Sequence, residues 1–475
     1  MRLSGSKNFV CIILCLLSML LFSSCQKSEE KQPLRILTDL FCCEKAGLLH
    51  TGDGVPELED YLRYYGIADG NFVIEVLPAN KAEREVRLAA LRTEIMAGGG
   101  PDVFVMRCDV PNRIINDWNF LENEHPEEST LYREPLFTDV TAAINNSFFL
   151  PLDKYLEKAK YFRSNFMEPV ILDAGKSAEG QMVLPITITF PYAVYRRADL
   201  QKAGSMPDSW QKALIWEDSA VRKAYGLAAW NQFSDLFGKY SNYDTENLTF
   251  SREELLARVK EAIRLKEEEL SDIENDVLPS DGLDGLLLES ELEYMSVSPW
   301  SPGYYDARQT PELHSQVIAP IRNMEGGVTA GITSYACINR NTERSQEAFD
   351  FLDLLFLPST QSFIGEYDSN GKNHQTILLN FAFGVPAGKD MLFDSKHSFG
   401  QRYISEIGID PGPNEEAFAE YTALRNEVTH ARFYGALDQE LQTMYEACLE
   451  AESDEKIEKI VSKAYDTMLM ILAES

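Results

Sequence analysis

The first third of the chain alternates short apolar runs with segments whose apolar residues recur at helical spacing. The apolar runs predict strands at Leu34–Thr38, Phe72–Leu77 and Val103–Met106. The helical spacing predicts helices at Val55–Tyr65 and Glu83–Ala97, the second ending in three glycines, as helix termini commonly do. This β-α-β-α-β order predicts a parallel sheet covered by helices, and therefore an α/β fold.

The rest of the chain continues the mixture with less regular spacing. Further strands are predicted at Met182–Pro185, Tyr192–Arg196 and Val328–Ile338. Helices are predicted at Ser209–Ile215, residues 251–276 and Ser345–Leu357, and the stretch Glu415–Ala473 is predicted to be helical in several pieces. The helix at 251–276 opens with a capping-box pattern from Ser251 to Glu254.

The N-terminus has the layout of a secretory signal. Arg2 and Lys7 precede an apolar run from Phe9 to Phe22, which is too short for a comfortable membrane span. Leu21–Cys25 resembles a bacterial lipobox, in which cleavage leaves Cys25 as the lipidated first residue. We therefore predict a signal peptide at residues 1–24 and a polar tether at residues 25–33, with the protein held outside the cell membrane by its lipid.

The overall charge excludes one class of function and weakens another. The chain of 475 residues has a net charge of −31. Nucleic-acid binding needs a basic surface, so it is excluded. Steering of an anionic ligand by the field of the protein is also disfavoured.

The residue types that carry catalysis or bind metals form no recognisable motif. The six histidines are scattered without ligand spacing, and phosphate-loop, H-E-x-x-H and G-x-S-x-G sequences are absent. The cysteines that remain after cleavage include the adjacent pair Cys42 and Cys43, but they do not form a disulfide framework or a zinc motif. The sequence predicts no metal site, no cofactor and no enzyme activity.

Six segments, in order along the chain, resemble one known family. They are Leu91–Val103, Phe149–Leu156, Leu184–Gly204, Met206–Trp210, Gly331–Leu352 and Gly384–Ala387. The segment Leu91–Val103, with its Gly98-Gly99-Gly100-Pro101-Asp102 turn, closely resembles the signature of family 1 extracellular solute-binding proteins. These are the maltose-binding-protein-like receptors of ABC importers.

The resemblance implies a two-lobe periplasmic-binding-protein-like fold of type II, with a hinge and a cleft between the lobes. Lobe one would comprise residues 33–195 and 328–383, and lobe two residues 196–327 and 384–475. Such a receptor binds a small solute in the cleft, closes at the hinge and delivers the solute to the membrane permease. We expect a mono- or oligosaccharide as the solute and a monomer as the working form.

A sugar site needs aromatic planes and polar groups, and the resemblance suggests which residues supply them. The aromatic candidates are Trp300, Trp230, Tyr434 and Tyr304, with Trp230 expected at the end of a strand that leads into the cleft. The polar candidates are Asp109, Asp39, Arg107 and Arg432. Asp102 is instead expected to hold the turn before the third strand.

Two alternatives remain open at this stage. The abundant carboxylates could supply the acid pair of a surface-anchored glycoside hydrolase or lyase. Alternatively, the same receptor could bind a polyamine or another cationic solute, which the acidic charge would favour.

Overall fold

The structure is a computed structural model. It describes residues 32–39, 62–78, 80–108, 134–196, 206–216, 219–243, 245–269, 287–288, 294–295, 316–356, 365–367, 373–375, 385–388 and 423–474. Within these ranges it is a mixed α/β protein, as predicted.

The strands are β1 Leu34–Thr38, β2 Phe72–Val76, β3 Val103–Arg107, β4 Lys176–Ser177, β5 Gly180–Gln181, β6 Val183–Thr189, β7 Tyr192–Arg196, β8 Ser241–Asn242, β9 Asn247–Leu248, β10 Leu287–Leu288, β11 Tyr294–Met295, β12 Gln316–Pro320, β13 Val328–Ile338, β14 Gly365–Tyr367, β15 Asn373–Gln375, β16 Val385–Pro386 and β17 Val428–Phe433. The α-helices are α1 Lys81–Met96, α2 Val140–Asn145, α3 Asp153–Leu156, α4 Pro169–Asp173, α5 Trp210–Leu214, α6 Ser219–Asn231, α7 Arg252–Glu269, α8 Ser345–Leu354, α9 Ala436–Leu449 and α10 Asp454–Ala473. Short 3₁₀ helices lie at Ile67–Gly70, Ser164–Phe166 and Phe233–Leu236.

A mixed sheet of seven strands organises the first part of the molecule. Its order is β16-β6-β13-β3-β1-β2, and β17 also pairs with β13. Strands β1, β2 and β3 are parallel, whereas β13 runs antiparallel to both β3 and β6. The long strand β13 pairs with β17 through its first half and with β3 through its second half. It is therefore the element that extends the sheet past the end of β3.

Helix α1 shows why the predicted β-α-β order folds as it does. The side chain of Asn80 caps the helix by accepting hydrogen bonds from the backbone N–H groups of Ala82 and Glu83. Leu88 and Leu91 are fully buried, and the helix ends at Met96, two residues before Gly98, which has a φ of +81°. Asp102 then holds the turn by accepting a hydrogen bond of 2.8 Å from the backbone N–H of Arg35, which confirms its structural role.

The buried apolar side chains form two clusters, here called the first core and the second core. The first core surrounds the seven-stranded sheet, and the second core is built mainly from α5, α6, α7, α9 and α10. Along the chain, the buried residues belong to the first core up to Tyr192 and to the second core from Trp210 to Met324. From Val328 they belong to the first core again. The core changes once more where Tyr434 of the first core is followed by Leu437 of the second.

The first core includes several residues from the range 384–475, which the sequence predicts for lobe two. Ala387, Leu424, Val428 and Phe433 all pack in the first core. Val428 and Phe433 do so because β17 pairs with β13, and Ala387 because it follows β16, which pairs with β6. The stretch Glu415–Ala473, predicted to be helical in several pieces, contains helices α9 and α10 but also strand β17, which the prediction did not include. The division into two lobes itself stays a prediction.

None of the helices within the described ranges is long and apolar enough to cross a membrane.

Candidate functional site

Polar side chains collect at one edge of the main sheet, where the carboxyl ends of its parallel strands lie. Asp39 follows β1, Arg107 ends β3, and Thr189 ends β6. Strand β6 runs parallel to β3, since both are antiparallel to β13. Open α/β sheets bind ligands at such strand ends. This set, completed by Thr187 of β6 and by Thr333 and Ser334 of the antiparallel strand β13, is called the polar edge.

Two predicted site residues, Asp39 and Arg107, contact each other at the polar edge. The carboxylate of Asp39 accepts a hydrogen bond of 2.7 Å from the backbone N–H of Arg107, and Arg107 Nε lies 3.8 Å from Asp39 Oδ2. The guanidinium of Arg84 donates to the same carboxylate at 3.2 Å, and both side chains of that pair are buried. Asp39 therefore ties the end of β1 to the end of β3 and to helix α1.

Hydroxyl groups line the middle of the polar edge. Thr187 Oγ1 lies 2.7 Å from Thr333 Oγ1 and also hydrogen-bonds with Ser334. Thr189, two residues further along β6, has the same orientation but a different environment. It is 1% exposed, and its hydroxyl has no hydrogen-bond partner in the structure. A buried hydroxyl without a partner is costly, so this group is a candidate for binding a ligand or an ordered water.

Tyr434 connects the polar edge to the second core. Gly331 lies directly opposite Thr189 on one side and Arg432 on the other. A Cβ atom at Gly331 would overlap the Tyr434 ring, so the ring packs on the strand backbone only because glycine is present. The Tyr434 hydroxyl lies 3.0 Å from both carboxylate oxygens of Asp235 in the second core.

Arg432 lies beside Tyr434 and also reaches the second core. Its Nη2 donates to the carbonyl oxygen of Ser234 at 2.7 Å, and its Nε donates to Asp438 at 2.9 Å. The guanidinium lies 4.7 Å from the centre of the Tyr240 ring and 3.4 Å from Asp235. The predicted site residues Arg432 and Tyr434 are thus brought together, but their polar atoms are engaged within the protein.

A second tyrosine makes a similar link between the cores. Asp139 caps helix α2, whose apolar side chains lie in the first core, and accepts a hydrogen bond of 2.5 Å from the Tyr243 hydroxyl. A cavity of about 30 Å³ lies here, lined by residues that include Asp139, Tyr243, Arg432 and Asp438. A cavity of this size and polarity holds about one water molecule. The crossing network is defined as Asp139, Asp235, Tyr240, Tyr243, Arg432, Tyr434 and Asp438.

Burial shifts the ionisation of the carboxyl groups in the crossing network. Burial raises the pKa of Asp235 to about 7, and the charge of Arg432 and the hydrogen bond from Tyr434 offset only part of that rise. Burial also raises the pKa of Asp139, against the lowering effect of its hydrogen bond from Tyr243. These carboxyl groups are therefore harder to ionise than exposed ones.

Two more buried polar atoms near Asp235 have no hydrogen-bond partner. Gln232 donates to Asp235 through Nε2 at 3.3 Å, but its Oε1 accepts no hydrogen bond. The Ser234 hydroxyl is fully buried and is likewise without a partner. Together with the Thr189 hydroxyl, they give the boundary between the cores spare hydrogen-bonding capacity, as a polar solute requires.

The remaining predicted residues fall into two groups. Trp230 is the penultimate residue of helix α6, so its predicted placement on a strand is wrong; the helix forms because Val221, Ala224, Tyr225 and Ala228 bury one face in the second core. Its ring packs partly buried against that core. Trp300, Tyr304 and Asp109, together with Cys25, Cys42 and Cys43, lie outside the described residues.

Sequence reasoning missed most of the residues at the boundary between the cores. Thr187 and Thr189 carried a usable signal, since they are the polar residues at alternate positions of an apolar strand. No comparable sequence signal marks Asp139, Asp235 or Gln232, because single polar residues beside helix ends are common capping and turn residues.

Metal binding has no support in the parts of the chain that the structure describes. No group of three or more His, Cys, Asp or Glu side chains is placed there to hold an ion. The cysteines Cys108, Cys337 and Cys448 are buried, and none of the three forms a disulfide within the described residues.

Comparison with solved structures shows that the fold is similar to that of periplasmic solute-binding proteins. The sugar-binding protein MalE of Xanthomonas citri matches with a TM-score of 0.52 and 13% identity, covering 93% of this chain and 98% of that one. A periplasmic oligogalacturonide-binding protein of Yersinia enterocolitica matches with a TM-score of 0.51 and 13% identity, covering 93% and 99%. The predicted fold class is thereby confirmed. No family model and no curated protein matches the sequence.

Proposed function

We propose that this protein is the substrate-binding lipoprotein of an ABC importer, which captures a mono- or oligosaccharide between its two cores. The observation that carries the proposal is the placement of the polar edge in a solute-binding-protein fold. The strand ends meet there, beside the segments that pass between the cores. Solute-binding proteins of this fold close by hinge motion around such a position.

The unpartnered polar atoms indicate where the solute would bind. Thr189, Gln232 and Ser234 are each buried and each keep a side-chain oxygen without a hydrogen bond. Hydroxyls of a sugar would both donate to and accept from these groups. The Tyr434 ring, which packs on Gly331 opposite Thr189, would supply part of an apolar surface for the sugar face.

The residues predicted from the family resemblance complete the proposed site. Trp300 and Tyr304 would stack on the sugar, and Asp109 would accept hydrogen bonds from its hydroxyls. Asp39 would act mainly by fixing the position of Arg107, since its carboxylate is committed to Arg107 and Arg84.

Anchoring and delivery form the second half of the proposal. The lipid would be attached to Cys25, and residues 25–33 would tether the protein outside the cell membrane. The solute-loaded form would then dock as a monomer on the permease. Loss of palmitate labelling after Cys25→Ala would support the anchor, and unchanged labelling would refute it.

Isothermal titration with maltose, maltotriose, digalacturonate, glucosamine and spermidine tests the proposed capture. Saturable binding of a sugar at one site, without product formed on long incubation, supports the receptor. Release of shorter sugars would identify a hydrolase or lyase instead. Binding of spermidine alone would leave the receptor in place and replace the sugar with a cationic solute.

A further inference from the structure

We propose that Asp235 makes the joining of the two cores depend on pH, because its buried carboxyl group takes up a proton when Tyr434 docks against it. Here the joined arrangement is the one in which the two cores are in contact through the crossing network. The proposal rests on the proposed function in one respect, namely that the joined arrangement is the one that holds the solute. Its physical basis lies in the crossing network itself.

The hydrogen bonds of the crossing network link groups that pack in different cores. Tyr434 packs in the first core and reaches Asp235, which follows helix α6 of the second. Tyr243 packs against the second core and reaches Asp139, at the start of a helix of the first. A rotation that separates the cores must therefore lengthen these bonds and admit water to the carboxyl groups.

The network contains more buried acids than bases. Arg432 pairs with two carboxyl groups of the network, Asp438 and Asp235, and a third, Asp139, lines the same small cavity as Arg432. Among the described residues, Arg432 is the one cation that lines this cavity. Full ionisation would leave two negative charges without a buried counter-charge, which is costly at low dielectric. Protonation of one carboxyl group relieves part of this cost.

Asp235 is the group best placed to take that proton. It is 3% exposed, and it faces Arg432 from β17, Tyr434 after that strand and Asp438 from α9. The remaining groups of the network are Asp139 and the rings of Tyr240 and Tyr243, of which Tyr243 is bound to Asp139. The guanidinium of Arg432 lies closer to the carboxylate of Asp438, at 2.9 Å, than to that of Asp235, at 3.4 Å.

The sign of the pH dependence follows from the difference between the two arrangements. In the joined arrangement burial raises the pKa of Asp235 to about 7. In a separated arrangement water restores the carboxyl group towards its ordinary pKa of about 3.9. The joined arrangement binds the proton more tightly, so it is favoured as pH falls. Between pH 8 and pH 6 the equilibrium constant for joining rises about tenfold.

Small-angle X-ray scattering of the purified protein without any solute tests the proposal. The radius of gyration should fall between pH 8 and pH 6 in the wild type and stay constant in Asp235→Asn. Asp208→Asn removes an exposed carboxylate paired with Lys212 and should keep the wild-type response. A wild-type radius that does not change with pH, or a response that survives in a folded Asp235→Asn variant, would overturn the proposal.

Tyr434→Phe provides a second variant for the same scattering measurement if Asp235→Asn does not fold. The hydrogen bond from Tyr434 lowers the pKa of Asp235, so its removal should move the midpoint of the response to higher pH. An unmoved midpoint would contradict the proposal. Failure of every sugar to bind would count against the proposed function alone, since the scattering measurement requires no solute.

Discussion

The hydroxyl of Tyr434 donates a hydrogen bond to the carboxyl group of Asp235, and this bond joins the two cores of the protein. The tyrosine can reach the aspartate because Gly331 lets its ring pack directly on the backbone of β13. One glycine, one tyrosine and one aspartate thus connect the main sheet to the helices of the second core. Four predictions test what these and neighbouring residues contribute.

Gly331→Ala should destabilise the protein by about 1–3 kcal/mol, because the new methyl group would overlap the Tyr434 ring. The loss should appear in the free energy of unfolding measured by urea denaturation. Gly99→Ala is the matched control, since its methyl group would meet its nearest neighbour at 3.4 Å. Equal stabilities of the two variants would show that Tyr434 does not pack on Gly331 as described.

Thr189→Val should weaken solute binding without lowering stability. The substitution keeps the shape of the side chain and removes a buried hydroxyl that has no partner, so folding should lose nothing. Thr329→Val should do the opposite and cost about 1–3 kcal/mol of stability, because the Thr329 hydroxyl donates to the carbonyl of Phe237 and accepts from Asn323. Thermal unfolding and titration calorimetry on both variants separate the two roles. A stability loss in Thr189→Val comparable to that of Thr329→Val would remove Thr189 from the proposed site.

The stability of the protein should fall as pH rises through neutrality. The folded-state pKa of Asp235 is raised to about 7, above its unfolded value, so its contribution is complete at acid pH and is lost as pH rises through 7. Between pH 6 and pH 8 the loss should be about 1.4 kcal/mol, measured from urea denaturation curves. The same curves for Asp235→Asn should lack this part of the slope. A wild-type stability that rises over this interval, with no difference in slope from the variant, would contradict the raised pKa.

Asp39→Ala should be strongly destabilising, by about 3–5 kcal/mol, because it leaves the buried guanidinium of Arg84 without its carboxylate. The exposed pair of Asp208 and Lys212 offers a control, and Asp208→Ala should leave the denaturation midpoint unchanged. A small effect of Asp39→Ala would mean that Asp39 does not hold the ends of β1 and β3 together.

The sequence was most informative where regular patterns extend over many residues. Helix α1 and strands β1, β2, β3 and β13 lie where periodicity predicted them, because apolar positions on one face or along a buried strand leave a clear trace. Strand β17 has no such trace, since its burial does not alternate from residue to residue and a helix begins three residues after it. Trp230 was placed on a strand because the resemblance, rather than its own helical surroundings, guided the assignment.

The candidate site was less accessible to sequence reasoning than the fold. Arg432 and Tyr434 are neighbours in the sequence and contact the same carboxyl group, yet that partner, Asp235, lies about 200 positions away in the sequence. Pairing between distant segments depends on tertiary packing, which a single sequence does not display. The same holds for Asp139 and Tyr243, which are bonded across the two cores.

Titration calorimetry of the purified protein with maltose, maltotriose and digalacturonate, repeated on Thr189→Val, decides whether the protein captures a sugar at the polar edge. We expect saturable binding of at least one sugar at a single site, no product after prolonged incubation, and weaker binding by the variant at unchanged stability. Binding of none of these sugars, or their conversion to smaller products, would contradict this capture.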